Sequence, residues 1–292
     1  MVVQTRRPPT VRLRRLAAEL RRLRNGAELK WDEVSTETGI NNATLYRIET
    51  AKSRPQMRTL AALLNLYEVG GEHREYLTAL CRDATRQGWL QPFHSELPEE
   101  YTAYISFERE AKGVRNYESL YVPGLLQTED YVRAIVRGGW LTATDAEVED
   151  LVRARIDRQS VLTKDVPLKF WAVFDEAALR RVVGGPDVMR AQLEHLASAT
   201  KARNITFQVI PFGAGAHPGM PGQFVLMDFA DPMDTDLIYV DSMAGDLFLE
   251  SEADVSRYRT TFDTLVAVAL SPKDSASLVT KIANELGEST DD

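Results

Sequence analysis

Apolar side chains recur at three- and four-residue spacing through the first ninety positions. Leu13, Leu16, Ala17, Leu20 and Leu23 predict an amphipathic helix from Val11 to Leu23, with Asn25-Gly26 as its stop. A second helix is predicted from Trp31 to Thr38, with Val34 inward and Gly39 as its breaker. A third runs from Asn42 to Thr50 with Leu45 and Ile48 inward, and it is closed by Arg54-Pro55, since a residue before proline is pushed out of helical geometry. Met57, Leu60, Ala61, Leu63, Leu64 and Tyr67 mark a fourth, ended by Gly70-Gly71, and a fifth covers Glu72 to Gln87. Five short helices joined by brief turns predict an all-α N-terminal domain over residues 1–90.

Between Gly88 and Pro98 the periodicity lapses and two prolines intervene, which places a domain boundary there; Trp89 and Phe93 are expected to pack against one of the domains. From residue 98 to 292 the pattern is mixed. Helices are predicted at Glu99–Ala111, Thr128–Val136, Asp145–Leu162, Pro186–Ala202, Glu252–Leu270 and Pro272–Leu286. Thr128 before Glu129 and Asp130 reads as a helix cap. Strands are predicted at Val114–Tyr121, Leu168–Phe174, Ile205–Ile210, Gln223–Phe229, Leu237–Asp241 and Asp246–Leu249. Strands and helices do not alternate regularly, so a larger α+β domain is expected rather than a doubly wound sheet.

The stretch LKWDEVSTETGINNATLYRIETAKSRP, Leu29 to Pro55, has the spacing of a helix-turn-helix. Two helices that cross steeply within a few residues need a small residue in the first, Ser35, and a glycine at the turn, Gly39, where φ must be positive. They also need an apolar plug, Ile40, and inward positions on the second helix, Leu45 and Ile48.

Charge sharpens this picture. The net charge of −8 is divided unevenly: residues 1–90 hold 16 Lys+Arg against 10 Asp+Glu, and the remainder 19 against 33. Eight of the first 24 residues are arginine. A basic end beside an acidic body suits contact with a polyanion at that end, and equally suits a solvated arginine-rich helix face.

These residues resemble the Cro/repressor-like (Xre-type) helix-turn-helix family, through G-I-N-N-A-T-L-Y-R-I-E and on to Lys52–Pro55. The resemblance covers residues 11–67. It implies that Asn41, Asn42, Ala43, Thr44 and Arg47 face double-stranded DNA, in whose major groove base edges present a full donor/acceptor code. Asn42 would pair with adenine and Arg47 with guanine, while Ala43 or Thr44 would touch a thymine methyl. Asn41 either joins them or serves only as the helix cap. Lys52, Ser53 and Arg54 would grip phosphate. The arginines of residues 6–15, Arg6 and Arg7 among them, either follow the phosphate backbone and an adjacent minor groove or form a solubilising tail. Glu49 is expected to tie its helix to a neighbouring arginine. Two positions depart from the family: Trp31 stands where a polar residue often meets phosphate, and Ala51 replaces a common glycine, which suggests a different turn.

The run from Tyr101 to Ala134 is similar to the large domain of actinobacterial WhiJ-type, antitoxin-like regulators, carried by Phe107-Glu108, Ala111, Tyr117-Glu118 and Val122-Pro-Gly-Leu-Leu-Gln-Thr-Glu-Asp-Tyr131. With Arg153, Arg155 and Gly222–Phe224 it becomes nearly chain-long. This resemblance implies a transcriptional regulator working with a small partner protein encoded nearby, and the palindromic sites usual for such motifs imply a homodimer. The alternative is a one-component regulator whose second domain senses a small molecule; a third possibility is an enzyme with a DNA-binding appendage.

Candidate chemistry in the second domain is thin. Val122–Thr128 reads as a turn that buries Leu125 and Leu126. The loop Gly213–Gly222 holds His217, the best ligand or partner candidate, although an isolated histidine in a Gly/Pro loop is ordinarily a surface residue. His73, His94, His195 and His217 have no metal-ligand spacing, and no phosphate-binding glycine loop or G-x-S-x-G turn occurs, so no catalytic residue, metal or cofactor is expected. Cys81 falls in an apolar helical pattern and reads as a core filler, with no partner for an internal disulfide. No apolar run is long enough for a membrane span and the N-terminal residues lack a secretory pattern, so a cytoplasmic, nucleoid-associated protein is expected.

Overall fold

The computed structural model describes residues 11–83, 99–140, 142–230, 234–242 and 246–288. They fall into two compact units. One holds residues 11–83 and 99–110 together with Asp234; the other holds residues 111–230 and the stretch from Thr235 onward.

The first unit is all-helical: α1 (Val11–Gly26), α2 (Trp31–Thr38), α3 (Asn42–Glu49), α4 (Met57–Leu66), α5 (Gly71–Asp83) and α6 (Glu99–Glu110). Every inward position of the first five helices meets in one core, with Leu16, Leu20, Val34, Leu45, Ile48, Leu60, Leu63, Leu64, Leu77 and Leu80 all buried. Burying side chains of this kind contributes about 1.5–3 kcal/mol each. Cys81 is in that core as expected, and its thiol donates to the Pro55 carbonyl at 3.3 Å; burial pushes the thiol pKa up, which keeps it protonated.

The helix ends share one device. Gly39 after α2 takes φ +70° and donates its N–H to the Ser35 carbonyl at 2.9 Å. The chain also turns through positive φ at Glu28, Ala51 and Glu68, beyond α1, α3 and α4. Two expectations change here. Asn25-Gly26 forms the last turn of α1 rather than its stop, because Glu28 makes the reversal. Ala51 does not impose a different turn: it takes φ +53°, the left-handed conformation a glycine would hold there. Its Cβ is strained in that region. Ala51→Gly should therefore raise stability by about 1 kcal/mol, read as a higher urea midpoint of the full chain; an unchanged or lower midpoint would contradict the strain.

The second unit is built on a six-stranded mixed sheet. Its strands are β1 (Gly113–Glu118), β2 (Lys169–Asp175), β3 (Ile205–Ile210), β4 (Phe224–Asp228), β5 (Leu237–Val240) and β6 (Leu247–Leu249), in the order β3-β2-β1-β4-β5-β6. β1, β2 and β3 are parallel, and β4, β5 and β6 follow as an antiparallel meander. Parallel neighbours need long crossovers. Here these carry α7 (Glu129–Gly139) and α8 (Asp145–Arg158) between β1 and β2, and α9 (Glu176–Arg180) and α10 (Pro186–Ala199) between β2 and β3. The chain ends on α11 (Glu252–Val268) and α12 (Pro272–Glu288), which packs on α10 and β3. An all-helical N-terminal domain is thus followed by a larger α+β one. The five-residue α9 was not predicted, and β1 stops at Glu118 rather than Tyr121.

The register sets two faces. Val114, Phe170 and Ile205 align, as do Asn116, Ala172 and Phe207, and Glu118, Phe174 and Val209. On the opposite face Arg115, Trp171 and Thr206 align, followed by Tyr117, Val173 and Gln208. Tyr117 and Val173 join Ile210, Phe224 and Ile238 beneath Val255, Phe262 and Leu265 of α11. The Val122–Thr128 turn buries Leu125 and Leu126 and is bound by glutamines: Gln127 Nε2 donates to Val122 O at 2.6 Å, and Gln192 joins Leu126 O and Thr128 N at 2.7 Å each. Thr128 is the N-cap residue of α7, with Glu129 and Asp130 in the first turn as expected; its hydroxyl makes no capping hydrogen bond, and its own N–H donates to Gln192. Among the described residues no helix is long and apolar enough to cross a membrane.

Candidate nucleic-acid interface

The order of small, glycine and apolar residues from Ser35 to Ile48 fixes how α3 is presented. Leu45 and Ile48 anchor one side of the helix in the core and Ile40 plugs the turn, so the residues between them must face outward. Asn42, Ala43, Tyr46 and Arg47 are exposed and Thr44 is half-buried. The Asn41 side chain accepts the Thr44 N–H at 2.8 Å, which makes it the cap of α3. Asn42 Nδ2 donates to the Asp32 carboxylate of α2. Arg47 folds along its own helix, from Nε to the Ala43 carbonyl at 3.2 Å and from Nη2 to the Thr44 hydroxyl at 3.1 Å. These are exposed, local bonds that a stronger acceptor can displace.

Beyond α3, Lys52 Nζ donates to the Tyr46 hydroxyl at 3.0 Å and lies 4.6 Å from its ring centroid. Ser53 is half-buried. Arg54 reaches the Cys81 carbonyl at 3.3 Å. Arg6 and Arg7 lie outside the described residues. Sequence reasoning missed Tyr46, 41% exposed between inward Leu45 and outward Arg47, and Arg58, exposed on the first turn of α4. Helical spacing alone would have put both on the outer surface.

The arginines of α1 serve mainly inside the unit. Arg24 forms a bidentate pair with Glu49 at 2.7 and 2.9 Å, and Arg21 donates to the Glu49 carbonyl. Arg22 pairs with Glu19 at 2.9 Å, Arg15 with Asp234, and Arg12 lies 3.9 Å from Glu110. Arg14 sits 5.3 Å from the Phe107 ring centroid. Glu49, 3% exposed, also accepts from Trp31 Nε1 at 3.0 Å. Trp31 is therefore turned toward the core, and its indole is occupied. Hydrogen bonding to Glu49 raises the Arg24 pKa still further, and burial, seconded by Glu49, pushes the Tyr67 phenol up to about 12.

In the second unit the His217 side chain is 5% exposed and not on the surface as an isolated loop histidine ordinarily is. Its Nε2 meets Asp175 Oδ2 at 3.2 Å, its Nδ1 accepts the Gly219 N–H at 3.3 Å, and its ring is edge-on to Tyr117. A side chain at Gly219 would strike the Tyr117 ring at 2.5 Å, so the loop closes down on β1 and β2. His217 pins that loop. Among the described residues no group of three or more histidine, cysteine or acidic side chains is placed to hold a metal ion.

A model for a helix-turn-helix domain matches residues 15–77, the segment containing this hinge and its flanking helices. The model described as a domain of unknown function, DUF5753, matches residues 101–281. No curated protein and no solved structure matches the chain. The helix-turn-helix marks a DNA-binding regulator, and since the second match spans well over half of the residues, the chain belongs to the DUF5753 family.

Proposed function

We propose that this regulator reads specific duplex sequences as an Xre-type homodimer, and that its second domain binds a small partner protein in the manner of the WhiJ-type, antitoxin-like regulators. The observation that carries the reading is the outer face of α3. Asn42, Ala43 and Arg47 are exposed on a short helix whose other side is locked in the core. A helix held this rigidly can enter a major groove at low entropic cost, with Arg47 exchanging its bonds to Ala43 and Thr44 for the O6/N7 edge of guanine. Asn41 contributes as the cap. Lys52, Ser53, Arg54 and Arg58 supply phosphate contacts, as do Arg6 and Arg7 ahead of α1. A cytoplasmic, nucleoid-associated location follows from this role.

The test is footprinting on the promoter of the protein's own gene, followed by affinity measurement on the protected site. Arg47→Ala should cost about 1–3 kcal/mol and relax preference at one base pair per half-site. The logarithm of affinity should fall against the logarithm of salt with a slope of about −0.9 per phosphate contact. No protected site, or an equal loss on every sequence, would defeat base reading by Arg47. Co-purification with the product of an adjacent small gene tests the partner. A small-molecule sensor is the second reading, and one cavity in the sheet favours it.

A further inference from the structure

The sheet face under α11 is covered only in part. Toward the C-terminal ends of β1–β3 it is closed by Phe262, Leu265 and the His217 loop. Toward their N-terminal ends lies an open cavity of about 700 Å³. Pockets of a few hundred to a thousand Å³ are the size that small ligands occupy.

Its lining is basic. Lys112, Arg115, Lys169 and Arg203 surround it against one carboxylate, Asp228. These four cations come from three strands and their flanks, so their convergence is a product of the fold. Among the described residues none of the four is within ion-pair distance of a carboxylate, whereas Arg133, Arg180 and Arg259 of the same unit are all paired. An unneutralised cluster is notable here because the chain beyond residue 90 has 33 acidic residues to 19 basic ones. Clustered positive charge at the mouth of a concavity with low-dielectric walls focuses potential onto an anion.

Trp171 completes the site. It lies between Arg115 and Thr206 in the sheet register and is 36% exposed. Its Nε1 donates to Gln208 Oε1 at 3.1 Å, and Phe262 meets it edge-on at 5.8 Å. Gln208 is held in turn by the Leu270 carbonyl at 2.8 Å. A pinned, partly bare indole is a platform on which a planar ring can stack without losing side-chain freedom.

We infer that this cavity binds a small phosphate-bearing molecule with a planar ring, of the mononucleotide class, its ring against Trp171 and its phosphate among Arg115, Lys169 and the neighbouring cations. The charge fits an anion, and the size and indole fit a ring. The inference stands independently of how α3 meets DNA.

The experiment is calorimetric titration of the full chain with AMP and GMP, with adenosine and inorganic phosphate as fragments, while following tryptophan emission. A nucleotide should bind saturably, more tightly than either fragment, and quench emission. The double substitution Arg115→Ala, Lys169→Ala should weaken it at least about tenfold, since a charge-assisted hydrogen bond is worth this much or more. Trp171→Phe should weaken binding and remove most of the quench, whereas Arg257→Ala, at a paired arginine outside the cavity, should leave affinity unchanged. The inference fails if neither nucleotide binds saturably, if phosphate alone binds as tightly, or if Arg257→Ala weakens binding as much as the double substitution. It fails equally if the double variant keeps its nucleotide affinity and loses only affinity for duplex DNA, which would assign the cations to a polynucleotide surface. Retained circular dichroism in each variant separates lost binding from lost folding.

Discussion

Glu49→Ala should destabilise the helical unit by about 3–5 kcal/mol, the cost of breaking one side of a buried, hydrogen-bonded ion pair. Glu49 stands at the end of α3 and is engaged on both carboxylate oxygens: Arg24 Nε meets one at 2.7 Å, and Arg24 Nη2 and Trp31 Nε1 meet the other at 2.9 and 3.0 Å. Through it α1, α2 and α3 are tied at one point. Removing it strands the Arg24 guanidinium, 14% exposed, and frees the indole N–H in the same space. Glu49→Gln keeps the shape and one acceptor, so about half of that loss is expected, since the charge assistance goes but the hydrogen bonding remains in part. Amide exchange on the full chain should show α1, α2 and α3 losing protection together in the alanine variant, with the strands of the second unit unaffected. A loss below about 1 kcal/mol would class the pair with ordinary surface bridges and refute its role in setting α3.

Much of the first unit was legible because its determinants are local. Gly39 follows from the need for positive φ between two helices, Asn41 from its place ahead of an apolar-periodic run, and the core positions from a 3.6-residue repeat. The strands were also legible as runs of β-branched and aromatic residues. What the chain conceals is anything that depends on long-range pairing. The arginines of α1 read equally as a polyanion-binding block or a solvated helix face, yet Arg15 finds Asp234, 219 positions away; the tie from Glu49 to an arginine was expected, and Arg24 is the one that makes it. His217 sits in a loop whose glycines and prolines signal exposure, but Asp175 and Tyr117 enclose it. The order in which β1 lies between β2 and β4 cannot be read from strand spacing, and the basic cavity exists only because of that order: Arg115 and Trp171 are 56 positions apart in sequence and neighbours in register. Ala51 fails for a different reason. Propensity favours glycine there, and the packing of the turn overrides it at the cost of strain.

The second unit should lose stability as pH rises from about 4.5 to 8, and Glu118→Gln should abolish that dependence. Glu118 ends β1 on the face turned away from α11, 7% exposed, with one oxygen receiving Asn116 Nδ2 at 3.3 Å and the other without a hydrogen-bond partner among the described residues. Burial pushes its pKa up to about 8; the nearby Asp241 pushes in the same direction, and the Asn116 amide, Arg158 and Arg155 oppose it without prevailing. Tyr121 and Tyr131 face the same region, with phenols raised chiefly by burial, so neither titrates in this range. The sign follows from proton counting. Between about 4.5 and 8 the folded state keeps the Glu118 proton that the unfolded chain has released, so raising pH favours unfolding by about 1.4 kcal/mol per pH unit. Below that window the group is neutral in both states and contributes no slope; above it the charge is present in both and the loss is complete. Glutamine is neutral throughout and still accepts from Asn116. Urea midpoints of parent and variant should therefore coincide at about pH 4 and separate progressively toward pH 8, with the glutamine form the more stable, and the difference between them isolates this one group from every other titration in the chain. Parallel curves across that interval would mean that Glu118 is already ionised in the folded protein at neutral pH.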